Sequence, residues 1–586
     1  MAAAPDNQDI NLHVDGQVFK AIKNVLCEHS DYFSAMFSGN YVEQEKKDIT
    51  IDVVDANSMD IILRYMNIGL IDLSEFSLDT IGTLALAANF LQILELIKQI
   101  EYWLDTRLSI SNWVEIMLIA EKASYMKLEQ LAGSFGLLSF KNMKSEYIPN
   151  ILKLFWYLSH PYLDTESEFN VFKFGYNWMC QSETSTADNL LIILGCLDVK
   201  KITVQDLEQM SSLIAYYENS LAARVIECFK MLLNSKLEIC LPNLVALEKK
   251  ICETITKSVY NEAVNIIRHS KQRKLHYIAV TATWVVKYGK LDFAPHDLYT
   301  FTEENGFERW LEIADKNMWG WNMAVWGANK LVQVCGEHGR GTGRFMRDVR
   351  VYDTSREEWI QHGVNLPSRR HAGVTVIGDS LFIVGGVGAF RVIEDSTIVY
   401  DLSKRTYRKV QKFPEAIQSP AICLHHGSIY AAGHKNIYKY DKDDYDTWIS
   451  VLETDIRAVK MISYKEYIYC SQNYFSILYR FKPGIDKNLE MVTHFSAPPV
   501  AFCKLDNRLL VFTRSVCGQA EELKVEKFTE PSICPEILWS DLKSYITVND
   551  VAGACSLVMS MPKINNEPTS YHQKYIARYS DTNNDN

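Results

Sequence analysis

The thirteen cysteines of this 586-residue chain never form a Cys-x-x-Cys pair. Their scatter is neither zinc-ligand spacing nor a disulfide framework. Long apolar runs are also missing. The strongest, 83–94, is interrupted by Asn89 and Gln92 and followed by Glu95, short of the roughly 18 apolar residues a membrane helix needs. The start, MAAAPDNQDI, lacks the basic residues and apolar stretch of a signal peptide, and no Asn-x-Ser/Thr acceptor occurs. Positive charge is in deficit: 61 basic against 72 acidic residues give a net −11, which weighs against nucleic-acid binding. With 27 Gly and 15 Pro the chain is no fibre, and with 12% aromatics it is not a disordered one. These absences predict a protein of a reducing compartment, cytoplasmic or also nuclear, with no membrane or nucleic-acid partner. The length suggests about three to five domains.

Two textures meet near residue 275. Before it, long amphipathic stretches with few turn signals read as helices; after it, short apolar and aromatic runs broken by Gly, Pro, Asn and Asp read as strands. The seam carries a basic run, Arg268 to Lys274, read as a solvated linker or helix end, with a nuclear-import signal as the alternative.

The downstream half repeats. Short β-type runs centred on Leu331, Leu381, Ile429, Ile468, Leu509 and Leu557 recur every 39–50 residues. In phase with them an aromatic closes a unit at Trp310, Trp359, Tyr407, Trp448 and Trp539, with room for one unit lacking it. Tyr352-Asp353, Tyr400-Asp401 and Tyr440-Asp441 precede three of these. Several strands per unit at this period indicate propeller blades rather than a helical solenoid. The stretch 366–386 runs Leu-Pro-Ser-Arg-Arg-His-Ala-Gly, an apolar strand, Gly378-Asp379, a second apolar strand and Gly385-Gly386. In this order of elements the half resembles a kelch propeller. Only Gly385-Gly386 is a full doublet; Cys335-Gly336 and Ala432-Gly433 keep one glycine and 469–471 keep none. About six blades are expected, with residues near 298–313 and those after Val551 sharing one; a seventh blade starting at 277–286 is the alternative.

At the other end, Leu12 and Val14 alternate with polar residues, Asp15-Gly16 supplies a two-residue turn and Val18-Phe19 begin a return strand. A helix over 23–39, a strand over 48–53, a helix over 57–68 and helices over 78–90 and 93–108 follow. With the wording VDGQVFKA, VLCEHSDYFSAMFSG, ITIDVV and LALAANFLQI, this order resembles a BTB (POZ) domain. Ile22 departs from it, standing where the family usually has His. Residues 109–235 resemble the BACK module. Trp113, Ile116, Met117 and Ala120 share one helical face, and Thr165-Glu166-Ser167-Glu168 reads as a capping box, Thr165 at the N-cap, before Phe169, Phe172, Tyr176 and Met179.

The resulting expectation is a multidomain chain: an α+β BTB/POZ domain (1–108), an all-α BACK domain (109–235), a helical linker (236–275), an all-β kelch propeller (276–570) and a disordered tail (571–586). The resemblance to the BTB-BACK-kelch family implies a non-catalytic substrate adaptor of a cullin-3 ubiquitin ligase, dimeric through its BTB domain. In the family, a hydrophobic residue, any residue and Glu, placed shortly after a helix of the YFxxMF type, dock the cullin. Tyr41, Val42 and Glu43 match that motif here, while Met36 and Phe37 are assigned to the core. For the unidentified substrate, the long loop 336–348 and its neighbourhood offer Arg340, Arg344, Arg369 and Arg370 to an acidic or phosphorylated peptide; a plain solvated loop is the other reading. The glycines at 339, 341 and 343 lack the strand, helix and Lys-Ser/Thr of a nucleotide loop. The adjacent His425 and His426 would point to opposite faces of a strand, a poor metal pair. No catalytic residue, metal or cofactor is expected. The alternative function is a cytoskeletal or scaffold protein whose propeller binds actin or another filament.

Overall fold

The computed structural model describes residues 9–38, 46–181, 187–287, 290–291, 297–313, 318–363, 365–441, 446–517, 520–530, 534–541 and 546–574. The chain forms two compact units. One comprises Met1–Leu275 together with Pro562–Asn586, the other His276–Met561.

The first unit begins with β1 (Asp9–Val14) and β2 (Gln17–Ile22), an antiparallel hairpin. Asp15 and Gly16 both have positive φ, 47° and 74°, as a two-residue turn matching strand twist requires. β3 (Asp48–Ile51) joins the other side of β1 in parallel. Ile10, Leu12 and Val14 of β1, with Ile49 and Ile51 of β3, turn one face to the core.

The expected single helix over 23–39 is instead two, α1 (Lys23–His29) and α2 (Asp31–Met36). Ser30 causes the break. Its hydroxyl accepts from the Phe33 N–H at 3.2 Å and donates to the Leu91 carbonyl at 2.5 Å, offering the backbone an N-cap in place of continued helix. Phe33 and Phe37 are buried and Met36 packs against the same core. Three helices complete this part: α3 (Ala56–Ile68), capped by Asp55 and ended at Gly69, α4 (Leu78–Phe90) and α5 (Leu94–Thr106).

A helical region follows: α6 (Trp113–Lys122), α7 (Met126–Leu138), α8 (Ile151–Leu158), α9 (Glu168–Gln181), α10 (Ala187–Gly195), α11 (Val204–Leu213), α12 (Leu221–Asn234), α13 (Leu241–Ala246), α14 (Glu248–Thr254) and α15 (Lys257–His269). The α6 face Trp113, Ile116, Met117 and Ala120 is buried, as its spacing requires. The capping box expected at Thr165 does not form. Ser167 is the cap, its hydroxyl accepting from the Asn170 N–H at 3.2 Å. Glu168 turns inward to meet Arg273.

Arg268 and His269 end α15, and Arg268, Gln272 and Lys274 are exposed, as a solvated helix end requires; Arg273 alone departs from that reading by being buried. Nε and Nη2 of Arg273 donate to Oε1 and Oε2 of Glu168, each at 2.9 Å, with both side chains almost wholly buried. Nη1 donates to the carbonyls of Leu158 and His160, Nη2 also to that of Cys196, and the Arg273 N–H to Asp198. Every guanidinium nitrogen has a partner, the condition under which a buried charge is tolerated.

Residues 562–574 lie on this helical region, so 571–574 are ordered where a disordered tail was expected. Trp156 Nε1 donates to the Ile564 carbonyl at 3.1 Å, Asn566 Nδ2 to the Trp156 carbonyl at 2.8 Å, and Tyr571 OH to the Leu191 carbonyl at 3.2 Å. A Cβ on Gly133 would stand 2.7 Å from Ile564, and one on Gly195 would strike the Tyr571 ring. Two glycines thus open the space the tail occupies. His572 is completely buried, its ring 4.0 Å from that of Phe155.

The second unit is a ring of six sheets. Five are antiparallel and four-stranded, built from strands consecutive in sequence except that in the first a short strand, Glu337–His338, intervenes and pairs with Met318–Trp319. Their innermost strands are Asn322–Trp326, Gly373–Ile377, Ile422–His425, Ala458–Tyr464 and Pro499–Leu505. In the sixth, Ala554–Leu557 pairs with Ile278–Lys287, followed outward by Asp297–Thr302 and Gly306–Glu312. Each innermost strand neighbours the next, and Ala554–Leu557 neighbours both Pro499–Leu505 and Asn322–Trp326. The circle therefore closes with six blades. The run at 277–286 belongs to the shared blade, not to a seventh, and Leu557 lies on an innermost strand whereas the other five repeat markers lie on second strands.

The repeat signature has a physical origin. Tyr352, Tyr400 and Tyr440 sit directly across from Trp359, Tyr407 and Trp448 on the neighbouring outer strands, so each of these three units carries an aromatic cross-strand pair. The Asp after each of the first two Tyr accepts backbone N–H groups in the following turn, Ser355 at Asp353 and Ser403 and Lys404 at Asp401. Gly385 and Gly386 have φ of 59° and 93°, and a Cβ on Gly385 would lie 2.6 Å from the Ile417 carbonyl. In blade one Cys335 takes the same left-handed turn without glycine, at φ 65°.

Candidate functional site

Tyr41, Val42 and Glu43 lie outside the described residues. The four arginines do not form one site. Arg369 is buried, and its Nη1 pairs with Glu394 at 3.1 Å. Arg370 pairs with Glu337, whose carboxylate is itself buried. Glu337 also accepts the N–H groups of Gly343 at 2.7 Å and Gly341 at 3.1 Å. The glycine loop does cradle an anion, but the anion is the chain's own side chain. Burial pushes the Glu337 carboxyl up, yet the two N–H groups and Arg370 outweigh it and hold the carboxyl below its ordinary range. Arg340 and Arg344 remain exposed, the Arg340 guanidinium 5.6 Å from the Trp319 ring centre.

A different opening lies at the end of the ring where the innermost strands begin. It has a volume of about 930 Å³ and is lined by residues just before or at the start of the innermost strands of blades two to six, by the end of the second strand of blade four and the loop after it, and by Arg514 and Ser515 within the second strand of blade five. Pro420, Pro498 and Pro499 stiffen these entries, where a strand has no ladder hydrogen bond to lose. Three cations line it: Arg457, Lys460 and Arg514; Asp550 is the carboxylate among the lining residues. Arg457 Nη2 donates to the Gln418 carbonyl at 2.7 Å, and Lys460 Nζ donates to the Asp550 carbonyl, linking blades four and six across the opening. Both are uncharged backbone acceptors. Burial pulls the Lys460 ammonium below its ordinary range, and the Asp550 charge opposes that.

Asp550 is held by Asn549, whose Oδ1 accepts the N–H groups of Val551 at 2.9 Å and Ala552 at 3.2 Å. Asn322 Nδ2 donates to the carbonyl of Ala372, a lining residue, at 2.8 Å. The buried atoms Asn322 Oδ1 and Asn549 Nδ2 have no partner among the described residues.

The rim is aromatic. Tyr474, 84% exposed at φ 64°, and Phe475, 50% exposed, project from the loop between the second and third strands of blade four. In the matching loop of blade two Phe390 is 99% exposed at φ 56°. Bulky side chains at positive φ cost about 1 kcal/mol or more each, and such strain clusters at ligand sites.

Sequence reading missed these residues because the lining comes from five blades and shares no local motif. Only their common phase within the repeat connects them. Among the described residues no group of three or more His, Cys, Asp and Glu could hold a metal, and no helix is long and apolar enough to cross a membrane. His425 is buried, with Nδ1 2.9 Å from Ser463 Oγ.

Comparison with known proteins agrees with this architecture. Residues 3–108 match the BTB/POZ domain model and 368–414 the kelch motif model. The chain belongs to the BTB-kelch family. It is 20% identical over 446 residues to the Kelch repeat and BTB domain-containing protein 1 of vaccinia virus, across 73% of this chain and 76% of that protein. The human Kelch repeat and BTB domain-containing proteins 6 and 7 are 24% and 25% identical over 207 residues, 34% of this chain and 30% of each of theirs. A BTB-kelch protein is built from protein-interaction modules, and this one is a protein-interaction adaptor.

Proposed function

We propose that this BTB-kelch protein recruits substrates to a cullin-3 ubiquitin ligase, its BTB domain docking the cullin and its propeller holding the protein to be modified. The observation that carries the reading is a BTB domain and a closed kelch ring, with an open, charged mouth, in one polypeptide. The helical region takes the place of a BACK module, and pairing through the BTB domain would present two propellers to one ligase. The mechanism is proximity. Tethering raises the effective concentration of substrate lysines near the transfer machinery, so the adaptor needs no bond-making residues of its own. The cytoplasm, or the nucleus, is where it would act.

Tyr41 would anchor the cullin and Glu43 would accept its hydrogen bonds. Replacing both by Ala is expected to abolish cullin-3 co-purification while leaving the folded chain's thermal transition in place. Undiminished co-purification would overturn the docking assignment.

A further inference from the structure

We propose that the propeller mouth selects an acidic peptide segment carrying a bulky apolar anchor: carboxylates meet Arg457, Lys460 and Arg514, and the anchor packs on Tyr474 and Phe475. The inference rests on the reading of the propeller as the substrate-holding module and names the substrate class it takes.

Charge is the first argument. The chain as a whole is −11, yet the mouth gathers three cations around one carboxylate. A concavity lined by cations focuses a positive field and concentrates anionic ligands at the mouth. Arg457 and Lys460 are anchored by backbone carbonyls rather than by carboxylate ion pairs, with the Asp550 charge acting on Lys460. This contrasts with Arg369 and Arg370, whose charges are matched internally by Glu394 and Glu337. Hydrogen bonds from such cations to carboxylates are roughly twice as strong as neutral ones.

Hydrophobicity is the second. Tyr474 and Phe475 border the same opening and contribute little to the core. Aromatic residues flanked by Arg are the composition of interaction hot spots. Their placement on a strained turn keeps the Tyr474 ring outward. A volume of about 930 Å³ admits a turn of peptide with one large side chain, and Asn322 and Asn549 offer unfilled polar atoms beside the lining segments.

The test is fluorescence titration of the full chain with three pools of short labelled peptides: Glu/Asp-rich with one Trp or Leu, the same with Lys/Arg replacing the acids, and the acidic pool with Ala replacing the anchor. The acidic anchored pool is expected to bind roughly tenfold or more tighter than either control. The preference should weaken with added salt. It should be lost in Arg457→Glu with Arg514→Glu, and reduced in Tyr474→Ala with Phe475→Ala. Arg457→Gln and Tyr474→Ser, checked by circular dichroism melting, guard against misfolding. Equal binding of the pools, binding of none, or preference unchanged by the substitutions overturns the proposal. Cullin-3 co-purification, read on the same preparations, separates the two ideas: its absence with peptide preference intact ends the ligase reading alone, and the reverse pattern ends this inference alone.

Discussion

Glu337 gathers three donors, the N–H groups of Gly341 and Gly343 and the guanidinium of Arg370, and its ionised form is therefore part of the fold of loop 336–348. Because the folded carboxyl sits below its ordinary value of 4.5, its contribution to stability is complete above that value and is lost as pH falls through the folded one. Glu337→Gln keeps the shape but not the charge. It is expected to lower the denaturant midpoint of the propeller near neutral pH, and the gap to the unsubstituted chain should close as pH falls below 4.5 and through the lowered folded value. A gap independent of pH would show that the charge contributes nothing. This residue also shows why the arginines could not be ranked from sequence. Whether an Arg is a binding group or a structural partner depends on a carboxylate brought beside it by the loop's path, and no spacing rule encodes that path. The same holds for Arg457 and Arg514, which sit in different blades and meet only after the ring has formed.

At the level of single elements, α9 illustrates both success and failure. Its apolar face at Phe172 and Met179 was legible because helical period follows from local geometry. Its start was misread because Glu168 had a stronger partner, Arg273, arriving from the far end of the region. Arg273→Ala leaves the Glu168 carboxylate uncompensated in the interior and three carbonyls without donors. The expected loss is about 3–5 kcal/mol, read as a lowered denaturant midpoint of the helical unit's transition; a shift within roughly 0.5 kcal/mol would mean that water reaches the pair. The split at Ser30 was hidden for a related reason: the acceptor that makes the break worthwhile, the Leu91 carbonyl, is remote in sequence. Strands fared better. Tyr and Trp recur because aromatic side chains face each other across the outer strand pairs of the first three blades, so the propeller's period is written in residues that hold it.

For the molecule as a whole, the segment 562–574 adds to a unit whose other residues end near 275. His572 lies within it, facing Lys271, His269, Cys196 and the Phe155 ring, with Nδ1 hydrogen-bonded to the Thr569 hydroxyl at 2.6 Å. Burial, with the Lys271 charge, pulls its imidazole down to about 3. Docked, it stays neutral; released, it takes a proton below its ordinary 6.5. Docking of the segment should therefore weaken by about 1.4 kcal/mol for each pH unit below that value. Hydrogen-exchange mass spectrometry of 562–574, corrected for intrinsic rates, is expected to show loss of protection on acidification from about pH 7 to 5. His572→Gln should flatten that slope, and a variant slope equal to the original would assign it elsewhere. None of this was legible beforehand, since the segment's polarity reads as a loop until Gly133 and Gly195 are seen to make room for it. The shared sixth blade has a further consequence, in time rather than space. Ile278–Lys287 leaves the ribosome long before Ala554–Leu557 exists, so its inner edge has no native partner while five later blades are translated. An edge waiting that long is an invitation to pair with a stranger, and the nascent protein should lean on chaperones until its last strand arrives.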